Sequence, residues 1–385
     1  MHNLQLKRSR RHPRALHGHP WAFAGEVTEA LPDAANGTGV RLLDTAGRLL
    51  GCGIYNNRSQ LVWRRYSRRE QEWSPAVVQA LLDTALSRRP AEEPFQRLVW
   101  SEADDLPGLV VDRLGDMLVL QSLTLGMDTL QPVVSDFLQS RFPDCEVVLR
   151  NDAPIRKREG LELYVRTLSG HPCEPRLAEI DGVRYRLTLD AGQKTGFYLD
   201  QRHEHAALAP LAQGQRVLDV CTHEGGFALH CARAGAASVT ALDISATAIS
   251  AAMENAARNG VNIRFLTENA FDYFSRPSAD TYDWIILDPP PFARNRAAVE
   301  GALRGYKELN LRALQRLPVG GHLATYTCSQ HVDRATFREV LRSAAHDSGR
   351  TVTILSERRQ PPDHPVRLDF PESEYLHGFW LRVDA

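Results

Sequence analysis

The stretch Arg216-Val217-Leu218-Asp219-Val220-Cys221-Thr222-His223-Glu224-Gly225-Gly226-Phe227 reads as a short apolar strand running into a glycine turn and then a helix. Around it the pattern repeats. Apolar strands are expected at 216–221, 238–243, 263–267, 283–288, 322–327 and 351–355, with helical spacing at 245–259, 297–317 and 333–348. A last strand, 375–383, is expected to pair with the sheet edge. This alternation predicts an α/β fold, a Rossmann-like and mostly parallel sheet of seven strands.

Ligands of such sheets sit at the carboxyl ends of the strands. There, Gly225 and Gly226 let backbone approach a ligand, and Thr222 lies in the same turn. The second strand ends at Asp243, 24 residues after Asp219, where a carboxylate can accept both hydroxyls of a ribose; Ile244 follows it. After the third strand come Asn269 and Ala270, and the amide of Asn269 can read an adenine edge. The turn is not a Gly-x-Gly-x-x-Gly fingerprint, so a nicotinamide cofactor is disfavoured. Each element also has an ordinary role open to it, since glycines turn chains and Asp243 can cap the following helix. Ordered along successive strands, they describe an S-adenosylmethionine site.

The fourth strand ends Asp288-Pro289-Pro290-Pro291-Phe292, and the prolines can hold the carboxylate and the ring over that site. Alone, this signature suggests methylation of an exocyclic base amine. The fifth strand ends Thr327-Cys328-Ser329, 40 residues after Asp288, and sets a thiol at the neighbouring strand end. A lone cysteine is usually a small buried hydrophobe. Here its position suggests a nucleophile that adds to carbon 6 of cytosine and activates carbon 5. Asp288 would then stabilise the adduct at ring nitrogen 3.

Two smaller modules are expected upstream. Residues 1–72 read as a β-domain, with a hairpin about the turn Thr45-Ala46-Gly47-Arg48. Residues 73–180 read as α+β, and 181–385 form the catalytic domain. The formal net charge of −1 excludes a uniformly basic coat protein, but residues 1–75 carry 12 Lys/Arg against 6 Asp/Glu, a net of +6. The remaining 34 cations and 41 acids give −7. Lys7, Arg8, Arg10, Arg11 and Arg14 are therefore candidate phosphate contacts, with a solvated tail as the ordinary alternative. The six cysteines form no Cys-x-x-Cys pair, and His203 with His205, or His171 with Cys173, has no second cluster, so no metal is expected. No apolar run reaches the ~18 residues of a membrane span. A cytoplasmic protein without membrane contact is expected.

The motifs taken together resemble the class I ribosomal RNA large-subunit methyltransferase I family. His19-Pro20-Trp21-Ala22-Phe23 is similar to its RNA-binding PUA domain. Gly192-Gln193-Lys194-Thr195-Gly196-Phe197-Tyr198-Leu199-Asp200-Gln201-Arg202 is the most specific stretch. The resemblance implies S-adenosylmethionine as cofactor and 5-methylcytidine in 23S rRNA, free or in a large-subunit particle, as product. It also implies a homodimer, Cys328 as nucleophile, Asp288 at the strand end, and cofactor contacts from Tyr198 and Gln201. Lys194, Phe292 and Tyr306 are candidate RNA contacts, with Phe197, Phe292 or Tyr306 sandwiching the base. Glu224, Pro291 and Asn269 depart from the family's usual residues. Guanine-nitrogen or base-amine methylation is one alternative, against which Cys328 discriminates, and a non-catalytic RNA-binding role, which predicts no methyl transfer, is the other.

Overall fold

The computed structural model describes residues 1–9, 12–189, 195–277, 280–293 and 296–385. The chain divides into two compact units. The first comprises Met1–Arg176, Leu187–Leu199 and Pro362–Ser373, and the second Leu177–Arg186, Asp200–Pro361 and Glu374–Ala385.

The first unit holds two five-stranded sheets. In the N-terminal sheet, Gly39–Leu43 and Leu49–Tyr55 form the expected hairpin. Asp44 shapes its turn by accepting from the amides of Ala46 and Arg48 at 2.8 and 2.9 Å. His2–Gln5, for which no strand was expected, is a strand parallel to the first hairpin arm. The alternation in Asn3-Leu4-Gln5-Leu6 buries both leucines.

The central sheet pairs Phe95–Trp100, Leu109–Leu114, Met117–Ser122, Glu146–Asn151 and Tyr164–Thr167. Polar ties join it to the N-terminal sheet. Arg64 pairs with Glu102 at 2.7 Å, and the Asn56 amide donates to Glu159 at 2.7 Å. A ribbon of Arg176–Ile180 and Val183–Leu187 straddles residue 181, where the catalytic domain was expected to begin.

The second unit is built on the seven-stranded sheet. Its strands are β1 (Arg216–Val220), β2 (Ser238–Asp243), β3 (Arg264–Thr267), β4 (Trp284–Leu287), β5 (His322–Thr327), β6 (Val352–Arg359) and β7 (His377–Val383). The helices are α1 (Leu199–Leu208), α2 (Gly226–Arg233), α3 (Ala246–Asn259), α4 (Ala270–Ser275), α5 (Val299–Arg316) and α6 (Arg334–Ser348). Spatial order is β3-β2-β1-β4-β5-β7-β6, parallel through β5, with β7 antiparallel to both neighbours.

The last strand therefore does not lie at the edge, as expected, but between β5 and β6. Six of its seven residues are buried, so both of its sides need partners, whereas β6 is largely exposed and forms the edge. Ser245 and Asp333 cap α3 and α6, accepting from Ala248 and Thr336 amides. Asp243 is thus relieved of the capping role.

Among the described residues no helix is long and apolar enough to cross a membrane.

Candidate cofactor and catalytic site

Parallel pairing continues past the strand ends and draws their loops together. The Thr222 amide donates to Leu242 at 3.0 Å, Glu268 to Asp243 at 2.9 Å, and Asp288 to Val220 at 3.3 Å. The turn after β1 is conformationally demanding. Cys221 and His223 adopt φ of 64° and 50°, and Gly225 follows at 90°. Non-glycine residues in the left-handed region are costly and concentrate at functional loops. Gly226 is needed for a different reason than ligand approach. A Cβ there would sit 2.4 Å from the His205 ring, which packs directly on the backbone.

Asp219 lies under this turn, 1% exposed. One carboxylate oxygen accepts from the Thr222 hydroxyl at 2.6 Å and the Ala228 amide at 3.0 Å. The other oxygen, Oδ1, is buried without a hydrogen-bond partner among the described residues. Burial pushes the carboxyl up to about 7, and the nearby Asp243 charge reinforces the shift against those two hydrogen bonds. Burial likewise pushes Glu224 up to about 7. Asp243 is oriented by the amides of His223 at 3.0 Å and Ser245 at 2.9 Å. Burial, then the charges of Asp243, Asp288 and Asp219, push up the Cys221 thiol that all three carboxylates surround.

Gln201, on α1, has both side-chain polar atoms buried and unpartnered among the described residues. An unpaired buried amide costs free energy unless a ligand completes it. Ile244, beside Asp243, is 69% exposed, a large apolar side chain at the lip of the site. Asn269 caps α4, its side-chain oxygen accepting from Phe271 at 2.8 Å, which spends that oxygen on the helix and leaves the NH2 group for an adenine edge. Ala270 is buried behind it. Tyr198 is half-buried and belongs to the first unit, in a stretch anchored where the Thr195 hydroxyl donates to Asp112.

Asp288 and Cys328 follow adjacent parallel strands. Leu287 pairs with Thr325, so the register carried one residue on sets Asp288 beside Tyr326, two residues short of Cys328. Both are half-buried. Between them Ser329 acts as a staple that the sequence did not announce. Its hydroxyl lies 2.9 Å from the Tyr306 hydroxyl and accepts from the Ala293 amide at 3.4 Å, joining the two loops.

Tyr306 is therefore not a base-stacking residue as expected. It is 0% exposed in the core, packed on Phe292 at 4.6 Å. Phe197, 7% exposed, is also covered. Phe292 is half-buried.

The basic segment is less available than its charge suggested. Arg14 pairs with Glu372 at 2.6 Å, Arg41 pairs with Glu70, and Arg65 and Arg68 both pair with Asp369. Lys7 and Arg8 are exposed. Arg10, Arg11 and Lys194 lie outside the described residues.

The buried carboxyl of Asp219, the half-buried one of Glu224, a carboxylate at Asp243 oriented by backbone amides and an unsatisfied glutamine amide together suit a nucleoside carrying positive charge. Comparison with known proteins agrees. Residues 155–366 match the family model of S-adenosylmethionine-dependent methyltransferases, and residues 4–68 match a PUA-like domain. The molecule is thus an S-adenosylmethionine-dependent methyltransferase with an N-terminal PUA-like domain, and S-adenosylmethionine is its cofactor.

Among full-length relatives, the ribosomal RNA large subunit methyltransferase I of Shewanella amazonensis is 35% identical over 377 residues, 95% of either chain. Those of Klebsiella pneumoniae and Aeromonas salmonicida are 35% and 34% identical, over 96% of this chain and 95% and 96% of theirs. The chain belongs to the ribosomal RNA large subunit methyltransferase I family. In fold it is similar to a chain assigned as a methyltransferase and solved with SAH, at TM-score 0.85, 21% identity and complete coverage of both chains.

Proposed function

We propose that this enzyme methylates carbon 5 of a cytidine in 23S rRNA through a covalent adduct on Cys328. The observation that carries the reading is the thiol at the end of β5, beside the strand that ends in Asp288. The bound cofactor supplies an electrophilic methyl group on a sulfonium. Asp219, Thr222, Gly225 and Gln201 would hold it, Asp243 would accept the ribose hydroxyls, and Ile244, Asn269 and Ala270 would border the adenine.

The target cytosine leaves its stack to reach the strand ends. The Cys328 thiolate adds to carbon 6 and electron density moves to carbon 5, which would take the methyl group as its bond to the sulfonium sulfur breaks and a neutral thioether is left. Asp288 gives a proton to ring nitrogen 3, which stabilises the adduct, and takes it back when the ring is restored. Loss of the carbon 5 proton to a base then expels the thiolate and restores the ring. Ser329 and Tyr306 position Cys328 and the Asp288 loop relative to each other without touching the base.

The modules 1–72, 73–180 and 181–385 divide this work, with RNA contact upstream and chemistry downstream, in the cytoplasm, where rRNA is made. Lys7 and Arg8 are exposed for phosphate contact, and Arg10 and Arg11 follow them in the sequence. Arg14 contributes instead by holding Glu372. Removing Lys7 and Arg8 should weaken RNA binding and reduce its salt dependence.

The deciding experiment is labelled-methyl transfer to rRNA from a strain lacking this gene, with nucleoside mass spectrometry. The expected product is 5-methylcytidine, and Cys328→Ala should lose transfer by roughly 1,000-fold or more, on the order of other nucleophile removals, while still binding cofactor. Methylguanosine as product, or full turnover by the variant, would sink the reading.

A further inference from the structure

Beside the strand ends the second unit carries a solvent-open groove of about 540 Å³ whose lining includes Phe271, Phe292, Gly301, Arg304 and Gly305. The cofactor and nucleophile assignments use none of its floor. Phe271, in the first turn of α4, is 36% exposed, and its ring lies 6.3 Å from that of Phe292 at a tilt of 35°. The two rings form one aromatic wall.

The floor is the backbone of α5. A Cβ on Gly305 would meet Phe292 at 3.2 Å, so helix and ring are already in contact there. A Cβ on Gly301 would meet nothing nearer than Arg304 at 3.9 Å, so the floor is open at that point. Arg304, 70% exposed, stands at the rim in an exposed pair with Glu300 at 2.5 Å. Such a pair is weak enough to exchange for a phosphate.

The groove is continuous with the chemistry. Phe292 is four residues from Asp288 and packs on Tyr306, whose hydroxyl meets Ser329 next to Cys328. We propose that this groove takes the nucleobase flanking the target cytosine, stacked on Phe271 and Phe292, with Arg304 at its phosphate. The proposal rests on the RNA methyltransferase reading above. Stacking fits because every base has an apolar face, and single-stranded RNA is bound by such aromatic platforms at basic rims. The strand holding the extruded base must also leave its stack nearby, and its neighbour then needs a new surface.

The test uses the full chain and RNA oligonucleotides carrying the mapped target, with an abasic residue placed in turn at each flanking position. Phe271→Ala removes the wall, and Gly301→Leu fills the floor with a residue that favours helix. Each variant should lower kcat/KM about 10-fold, the range of losing one base–aromatic stack, with cofactor Kd unchanged. One abasic position should lower the wild-type rate by a similar factor and cost Phe271→Ala nothing further. Penalties that multiply at every position would overturn the groove assignment, as would wild-type rates in both variants. Loss of cofactor affinity in Phe271→Ala would also overturn it, by placing that ring on the adenosyl side. Absence of any transfer by the unaltered protein would sink the RNA reading itself and the groove with it.

Discussion

In the first unit Asp112 lies in the core with Arg97 gripping both of its oxygens, at 2.7 and 2.8 Å. In the second, Asp219 lies equally deep, yet one oxygen meets only a hydroxyl and an amide and the other has no partner among the described residues. The contrast extends to neighbours. Asp104 is held by Arg89 at 2.6 and 2.7 Å. Burial would raise Glu102, but the Arg64 charge and the hydrogen bonds from Ser101, Arg64 and Trp21 outweigh it and hold the carboxyl low. Glu224 has no such compensation and is raised. A buried carboxylate with its own arginine is architecture, complete within the chain. One left without a cation is incomplete among the described residues, which suits the proposed binding of a positively charged cofactor beside it.

Four measurements bear on that contrast. The largest effect is expected from Arg97→Ala, which leaves Asp112 as an uncompensated buried charge and should cost about 3–5 kcal/mol in denaturant unfolding. A loss below about 1 kcal/mol, the worth of an exposed pair, would remove the distinction between the two kinds of site.

Next is pH. The folded carboxyl of Asp219 titrates near 7 instead of 3.8. Between those values the folded chain keeps a proton that the unfolded chain has released, so stability falls as pH rises from about 4 to about 7 and then levels. Asp219→Asn should remove a slope amounting to a few kcal/mol across that window, since each tenfold change in proton affinity is worth about 1.4 kcal/mol. An unchanged slope would mean that the carboxyl is not perturbed.

Third, cofactor affinity should strengthen as pH rises through about 7, because Asp219 and Glu224 ionise towards the sulfonium. The uncharged thioether product should respond less. Asp219→Asn should weaken binding on the order of 10-fold, as for a lost charge-assisted hydrogen bond, and Glu224→Gln should do so by a smaller factor. Equal pH profiles for cofactor and thioether in titration calorimetry would refute this.

Smallest is Tyr306→Phe, which removes one buried hydroxyl contact to Ser329 and should cost about 1 kcal/mol in stability with a few-fold loss in rate. A rate loss without any change in stability would instead put the hydroxyl in contact with substrate.

Much of this was legible in the sequence, for identifiable reasons. Parallel strands read as mostly apolar runs, and five were located to within a residue or two, including Ser238–Asp243 and His322–Thr327 without error. The glycine turn and the Asp-Pro-Pro strand end announced themselves because backbone geometry restricts which residues can stand there. Position in the sheet was harder to read. The last strand was expected at an edge, and only its burial on both sides shows that it lies inside.

Charge was harder still. Counting gave residues 1–75 a net of +6, but Arg65 and Arg68 meet Asp369 about 300 positions away, and Arg14 meets Glu372. Composition records which charges exist and is silent on how they pair across such separations.

The strands themselves, and the placing of Asp219, Asp243, Asp288 and Cys328 in or beside their carboxyl ends, were legible locally, because periodicity and turn chemistry act over a few residues. Which polar groups are already satisfied became visible only in the folded chain. Tyr306 and Arg14 proved to be occupied within it, whereas Gln201 and one oxygen of Asp219 are buried without a hydrogen-bond partner among the described residues. Satisfaction depends on partners brought together from distant positions, and hydrogen bonds and ion pairs form only at contact distance.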